Sequence, residues 1–245
     1  MEHFPAFERV VQEPPSLTLS MIVKNEEHRY LRRVLESARE YIDSAVIIDD
    51  GSTDNTVSLC KEVLSGIPLK IIENKESLFQ NEWKIRELQW LETIATNPDW
   101  ILFLDADEIF EDSAKNAFRE MITDKNCDVY LFRLYDMWDE THYREDELWS
   151  AHKIFRPFMM RYQKNFTYTF LQANQHCGRM PANIFELNYQ LSSIRIKHYG
   201  WAKPEDRLAK YSRYMQLDPL GVYGSLPQYL SILDANPHVC EWLEE

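Results

Sequence analysis

Hydrophobic runs alternate with amphipathic segments along the first half of the chain. Four short apolar runs predict buried strands, at residues 17–23, 45–48, 69–72 and 100–104. Hydrophobic residues recur at helical spacing between these runs, at residues 29–41, 57–64 and 81–96. Strands and helices that alternate with short connections are typical of βαβ units, so the pattern predicts a mainly parallel sheet flanked by helices.

The pattern changes in the second half. A further helix at 113–121 and a strand at 129–134 are followed by an aromatic and charged stretch, residues 136–180, with few clear periods. The last predicted elements are a strand and turn, a helix and short helical pieces, at residues 194–201, 205–217 and 219–237. We therefore predict one α/β domain over residues 1–245, with a regular half at 17–135 and an irregular half at 136–245.

Composition narrows the class of protein. A hydrophobic fraction of 44% and only 6 glycines are typical of a globular chain. The net charge of −13 argues against binding to nucleic acid or to an anionic membrane surface. The 4 cysteines form no Cys-x-x-Cys pair, and no apolar run approaches the roughly 20 residues of a transmembrane helix. We expect a cytoplasmic protein without a signal peptide or membrane anchor.

Two of the predicted strands end in acidic residues. The run Trp100–Leu104 is followed by Asp105, Asp107 and Glu108, and carboxylates this close repel each other unless a cation compensates them. A hard divalent metal is the simplest cation for that role. The second acidic end, Asp49–Asp54, suits hydrogen bonding to a base or a ribose, although a turn and helix cap would use the same residues.

Three motifs carry a resemblance to a known family. Met21–Glu26, Asp49–Asp54 and Leu104–Glu108 resemble the signature of the bacterial-type family 2 glycosyltransferases, which have the GT-A fold. The resemblance implies a nucleotide-sugar-dependent, usually inverting enzyme of the hexosyltransferase type (EC 2.4), with UDP as the expected nucleotide. The Asp-x-Asp motif would hold Mn²⁺ or Mg²⁺ against the donor diphosphate. Residues 17–135 would bind the donor, and residues 136–245 an acceptor that is a carbohydrate, a lipid-linked molecule or a protein.

The resemblance also implies roles for individual residues. Asp107 would bind the metal, and Asp105 the ribose or the metal. His198 would be a third metal ligand, because such enzymes often bring back a C-terminal histidine, although a structural histidine is an equal alternative. The remaining donor-binding positions are Ile22, Val23 and Asn25 at the nucleoside, and Asp49 and its neighbour Asp50 at the base. The helix that contains Lys84 and Arg86 departs from the family pattern, which has an Arg-Asn pair near this point. Arg86 or Lys84 is the candidate to reach the diphosphate, and a solvated helix face is the alternative for both.

The sequence gives weaker evidence for the catalytic base and for the residues that bind the acceptor. Inverting transfer needs a general base that removes the proton of the acceptor hydroxyl. The family suggests an acid just before the strand at 153–156, which favours Asp146 as the base and Glu145 as the reserve, against a solvated acidic loop. His176 is a weaker acceptor-site candidate, and Trp201 is expected either to stack on a sugar or to pack.

Two other classes of function remain open at the level of the sequence. A nucleotidyltransferase also uses a carboxylate-bound metal on an α/β sheet. It normally has a glycine-rich basic loop after the first strand, and residues 24–27 contain no glycine. A non-catalytic module that binds a nucleotide or a sugar would use the same acidic strand ends.

Overall fold

The computed structural model describes residues 14–173, 177–222 and 224–244. Its main sheet contains β1 Leu17–Val23, β2 Ser44–Asp49, β3 Leu69–Glu73, β4 Trp100–Phe103, β5 Glu108–Phe110, β6 Val129–Asp136, β8 Phe155–Arg161 and β9 Tyr189–His198. The strand order is β3-β2-β1-β4-β8-β6-β9-β5. A separate antiparallel pair joins β7 His142–Arg144 to β10 Val239–Glu241. The helices are α1 Leu31–Ala38, α2 Thr56–Val63, α3 Glu82–Ile94, α4 Ala114–Met121, α5 Pro204–Leu217 and α6 Leu226–Ser231.

The first half of the chain follows the predicted pattern. Strands β3, β2, β1 and β4 are parallel neighbours, and every residue of β1 is buried. Helix α1 places Leu31, Val34 and Leu35 in the core at the predicted spacing. The mixed α/β architecture with helices against a central sheet confirms the predicted fold class.

The second half is more regular than its sequence indicates. Strand β8 lies in the middle of the sheet, antiparallel to both β4 and β6, and its first residues overlap the short strand expected at 153–156. Pro157 and two arginines interrupt its hydrophobic pattern, so the sequence does not show that the strand continues to Arg161. Pro157 lies at the irregularity in the pairing with β6, which is a position where a strand tolerates the missing N–H group of proline.

The last strands bring the two halves together. Strand β9 begins at Tyr189, before the predicted residue 194, and pairs in parallel with β6. The short β5, which follows Asp107 directly, pairs antiparallel with the end of β9, with Glu108 opposite His198. Within the described ranges, the chain forms no helix of the length and apolar character that crossing a bilayer requires.

Candidate functional site

The carboxyl ends of three parallel strands meet at one edge of the sheet. Val23 pairs with Asp49 across β1 and β2, and β4 runs beside β1 in the same direction. The loops that follow these strands therefore carry Asn25, Asp49 and Asp105 to the same edge. Ligands of open α/β sheets bind at this edge.

Hydrogen bonds join the loop after β1 to the loop after β2. Asn25 has a φ of 54°, and its side-chain oxygen accepts a hydrogen bond of 2.8 Å from the Thr53 amide. The Asn25 amide donates to the Ser52 hydroxyl at 2.9 Å. Ile22 and Val23 are in the core, with 8% and 2% of their surface exposed, so a nucleoside would reach only their backbone.

Asp49 and Asp50 have different surroundings. Asp49 is 3% exposed; one carboxylate oxygen accepts from the Ser52 amide at 3.0 Å, and Oδ1 has no hydrogen-bond partner among the described residues. A buried oxygen of this kind can accept a hydrogen bond from a ligand. Asp50 accepts from Asn74 at 3.1 Å, from the Leu78 amide at 2.8 Å and from the hydroxyl of Ser77. Asp50 therefore holds the loop between β3 and α3.

Two arginines surround Asp105. The Arg179 guanidinium lies 3.1 Å from one carboxylate oxygen and Arg86 lies 3.5 Å from the other. Arg179 also binds both oxygens of the buried Glu108, at 2.5 and 2.7 Å. Burial opposes the charge on Asp105, but Arg179 and Arg86 outweigh it and lower its pKa. The structure thus brings Arg86, only 14% exposed in its side chain, to the acidic motif rather than to solvent.

Asp107 and His198 form the second part of the site. The Nε2 atom of His198 lies 3.6 Å from Asp107 Oδ2, and its Nδ1 atom lies 2.7 Å from Asp136. Burial disfavours the charged ring, but Asp107 and Asp136 outweigh it and raise the pKa of His198 to about 10. Burial also opposes the charge on Asp107, yet His198 holds the pKa of this carboxyl well below its usual range.

Three charged side chains, those of Asp107, His198 and Lys210, approach Gly200, which has no side chain of its own. A Cβ atom at Gly200 would lie 2.6 Å from Asp107 Oδ2, 2.6 Å from His198 Nε2 and 2.3 Å from Lys210 Nζ. The Asp107 carboxylate and the His198 imidazole, whose ring the Asp136 carboxylate orients, are side chains of the kind that hold a metal ion. In the part of the chain that the structure describes, no cluster of three or more such ligands occurs, so a metal held here would need further ligands such as donor oxygens. The Lys210 ammonium lies beside the same two side chains and would have to move for a metal ion to bind there.

The two base candidates lie in ion pairs. Asp146 accepts from Arg144 at 2.7 Å and from the amides of Leu148 and Trp149. Glu145 lies 3.3 Å from His152 and 3.3 Å from Lys153. Burial opposes the charge on both acids, but these partners outweigh it and lower both pKa values. Both assignments stay predictions.

The other predicted positions that the structure describes lie at the surface or pack against neighbouring side chains. Lys84 lies 5.6 Å from the Trp83 ring on an exposed part of α3. Trp201 is 9% exposed and packs edge-on against Trp149, with ring centroids 4.9 Å apart. His176 lies outside the described residues.

Four residues of the site carry no clear signal in the sequence. Asp136, Arg179, Gly200 and Lys210 come from separate segments of the second half and meet the acidic motif only through the folded sheet. Asp136 is the last residue of β6. Its place after an apolar run is the signal that could have identified it as a third acidic strand end.

Comparisons with known proteins identify the family of the chain. A model of the glycosyl transferase family 2 matches residues 18–183, which is more than half of the chain. An uncharacterized protein of Mycobacterium tuberculosis is 26% identical over 212 residues, covering 82% of this chain and 50% of that protein. An uncharacterized glycosyltransferase of Rickettsia prowazekii is 27% identical over 113 residues, covering 45% of this chain and 34% of that protein. The chain thus spans half or less of the length of these relatives.

A solved structure shares the fold. The crystal structure of TarS from S. aureus aligns with a TM-score of 0.54 and 16% identity, covering 89% of this chain and 42% of that chain. The alignment therefore extends well beyond the predicted donor half. From the family match, the acidic strand ends and the shared architecture, we conclude that the chain belongs to the glycosyl transferase family 2 and has the GT-A fold.

Proposed function

We propose that this chain is a metal-dependent inverting glycosyltransferase that moves a hexose from a nucleoside diphosphate, with UDP as the nucleotide, to an acceptor hydroxyl. The observation that best supports the proposal is the approach of Asp107 and His198 to one point, beside Asp105, in a chain of family 2. Mn²⁺ or Mg²⁺ would be bound by Asp107 and His198.

Donor binding follows from the groups at the sheet edge. The free oxygen of Asp49 would accept a hydrogen bond from a base N–H or a ribose hydroxyl. Asp105 would bind the ribose or the metal, and its arginines would lie next to the diphosphate. Asp50 would support the donor site indirectly, because it holds the loop between β3 and α3.

The chemistry consists of breaking one bond and forming another. The bond between the anomeric carbon and the diphosphate breaks, while the acceptor oxygen bonds to the same carbon from the opposite side. The metal, when bound, stabilises the negative charge that develops on the leaving nucleoside diphosphate. Asp136 holds Nδ1 of His198, so that Nε2 keeps facing the point shared with Asp107. Arg86 and Arg179 add positive charge beside Asp105.

The acceptor proton needs a base, and we propose Asp146, with Glu145 as the reserve. Either acid would first have to open its ion pair, because the bound cation lowers its basicity. Asp146→Asn should reduce the rate of transfer and leave donor binding unchanged. A variant that is only less stable, with normal transfer, would assign Asp146 a structural role.

Substitution of Asp107 tests the proposal. Asp107→Ala should reduce Mn²⁺-dependent hydrolysis or transfer of a UDP-sugar by at least about 100-fold, because a metal ligand is lost. Asp112→Ala, at an exposed aspartate nearby, is the matched control and should keep full activity. Thermal unfolding checks that both variants remain folded. An unchanged rate in Asp107→Ala contradicts the metal role, and saturable donor binding by the parent protein without any turnover indicates a non-catalytic module.

We also propose a cytoplasmic location. The four cysteines, Cys60, Cys127, Cys177 and Cys240, are free thiols, as is usual in a reducing compartment. Fractionation of cells that express the native chain would test it, and recovery outside the cytoplasm would contradict it.

A further inference from the structure

An aromatic cleft lies between α5, α6 and the loop that precedes α3. Its volume is about 660 Å³. It is lined by the rings of Phe79, Trp149, Trp201, Tyr214 and Tyr229, together with polar and charged side chains such as those of Glu82, Arg213 and Gln228. Leu217, at the end of α5, contributes an aliphatic wall. Apart from Trp201, for which stacking on a sugar is one expectation, no cleft residue has a role in the functions described above.

The cleft opens beside the proposed diphosphate site. On one side, the Trp201 ring lies 6.4 Å from the His198 ring. On the other side, Glu82 lies 3.8 Å from Arg86, which is paired with Asp105. Among the described residues, the lining includes none of the predicted nucleoside-binding positions. The cleft therefore lies where a group beyond the diphosphate would be held.

The aromatic side chains present apolar surface to the cleft. The Trp149 N–H donates to the Ser231 hydroxyl at 2.9 Å, and the Tyr229 hydroxyl donates to Asp218 at 3.0 Å. The rings of Tyr214 and Tyr229 are stacked, with centroids 4.8 Å apart. Because these two polar groups are already bonded within the protein, the rings of Trp149 and Tyr229 offer the cleft hydrophobic contact more than hydrogen bonds.

Exposed aliphatic side chains continue from the cleft over the neighbouring surface. They lie within residues 217–233 and are 47–78% exposed, at Leu217, Leu220, Val222, Leu230 and Leu233. Concentrated apolar exposure of this kind marks a binding surface. The net charge of −13 argues against an anionic bilayer as its partner.

We propose that the cleft binds the hydrophobic part of the acceptor, so that the acceptor is a lipid-linked hydroxyl compound such as a glycoside of an alkyl or isoprenyl chain. The inference rests on the proposed glycosyltransferase function. The polar head would lie at the mouth, near His198, and the chain would extend along Leu217 and the exposed aliphatic surface. Hydrophobic burial of the chain would supply most of the acceptor affinity.

Two glycosides with the same head group test the inference. Octyl and methyl β-glucoside, both below the micelle concentration of the octyl compound, are offered as acceptors with a UDP-sugar and Mn²⁺. We expect the octyl compound to have a KM at least tenfold lower than the methyl compound. Equal KM values would overturn the inference.

Two leucines of α5 provide a variant and a matched control. Leu217 is 59% exposed and lines the cleft, whereas Leu208 is 56% exposed and lies outside the lining. Leu217→Gln should raise the KM of the octyl glucoside about tenfold and leave the KM of the donor and the rate of donor hydrolysis unchanged. Leu208→Gln should change none of these. A rise in donor KM in Leu217→Gln would instead assign the cleft to the donor sugar.

Binding without turnover separates this inference from the proposed function. Trp149 and Trp201 line the cleft, so octyl glucoside should change the intrinsic tryptophan fluorescence, and methyl glucoside should not. This result is expected even if no sugar is transferred. Absence of the fluorescence change, or cosedimentation of the protein with neutral phosphatidylcholine vesicles that is lost equally in both variants, would overturn the inference.

Discussion

Gly200→Ala is the sharpest test of the shape of the site. The added methyl group would lie 2.6 Å from Asp107 Oδ2 and from His198 Nε2, and 2.3 Å from Lys210 Nζ. Ordinary contact with a Cβ atom begins at 3.4 Å, so Asp107 and His198 each have to retreat by about 0.8 Å, the difference between 3.4 Å and 2.6 Å. The variant would thus displace the two side chains that are proposed to hold the metal.

The expected effect on activity is large. A misplacement of about 1 Å in a catalytic arrangement costs about 100-fold in rate, which corresponds to about 2.7 kcal/mol. We therefore expect kcat/KM for the UDP-sugar to fall about 100-fold and Mn²⁺ binding in calorimetry to weaken. The unfolding temperature should change little, because Gly200 is outside the left-handed region and the colliding atoms are the ends of side chains.

Gly66→Ala is the matched control. Gly66 has a φ of +86°, and a Cβ atom there would meet nothing within 4 Å. Alanine in this conformation should cost about 1–2 kcal/mol of stability without changing kcat/KM. If Gly200→Ala keeps kcat/KM within threefold of the parent, the result contradicts the proposal that Asp107 and His198 hold the metal beside Gly200.

Three further predictions follow from buried charges. Arg179→Met should lower the free energy of unfolding by about 3–5 kcal/mol, because Glu108 stays buried without its cation. Adding Glu108→Gln should recover most of this loss in urea titrations, and simple additivity of the two changes would reject the pairing. Asp136→Asn should weaken Mn²⁺ binding about 10–100-fold in calorimetry, since it loosens His198; unchanged affinity would contradict the role of Asp136 in orienting a metal ligand. Burial raises the pKa of Glu26 to about 7, above its unfolded value, so its stabilising contribution is complete below about pH 4 and is lost as the pH rises to 7. Glu26→Gln should therefore match the parent at pH 4 and exceed its stability at pH 8 by at most about 3 kcal/mol; an equal pH dependence of the two proteins would contradict the shift.

The sequence predicted the parts of the fold whose patterns are local. Strand β1 has the predicted bounds, and Asp49 and Asp105 follow their strands because a buried apolar run and an acidic end are visible in a short window. The sequence predicts only the start of β8, because Pro157 interrupts its hydrophobic pattern and its partners β4 and β6 are distant in the chain. When a strand is stabilised mainly by pairing with distant strands, its own residues are not enough to predict it.

The same distinction explains what could be predicted of the site. Asp107 belongs to a short motif, whereas Arg179 and Lys210 come from segments whose place depends on the complete sheet. Arg86 was a candidate at a place where the chain departs from the family pattern, and its pairing with Asp105 depends on how α3 packs against β1 and β2. Side chains that meet from distant segments, and that belong to no recognisable motif, cannot be paired from a single sequence.

The pairing of β5 with β9 has a consequence for how the site tolerates change. Because Glu108 is opposite His198 and the Tyr199 amide donates to the Asp107 carbonyl at 2.8 Å, the strand register itself sets the spacing of Asp107 and His198. A shift of one residue in that register would turn one of the two side chains to the opposite face. Insertions in the intervening loops should therefore be neutral, whereas a single-residue deletion within β5 should separate the pair. The pairing of β5 with β9 therefore fixes the distance between Asp107 and His198 independently of the length of the acceptor-side loops.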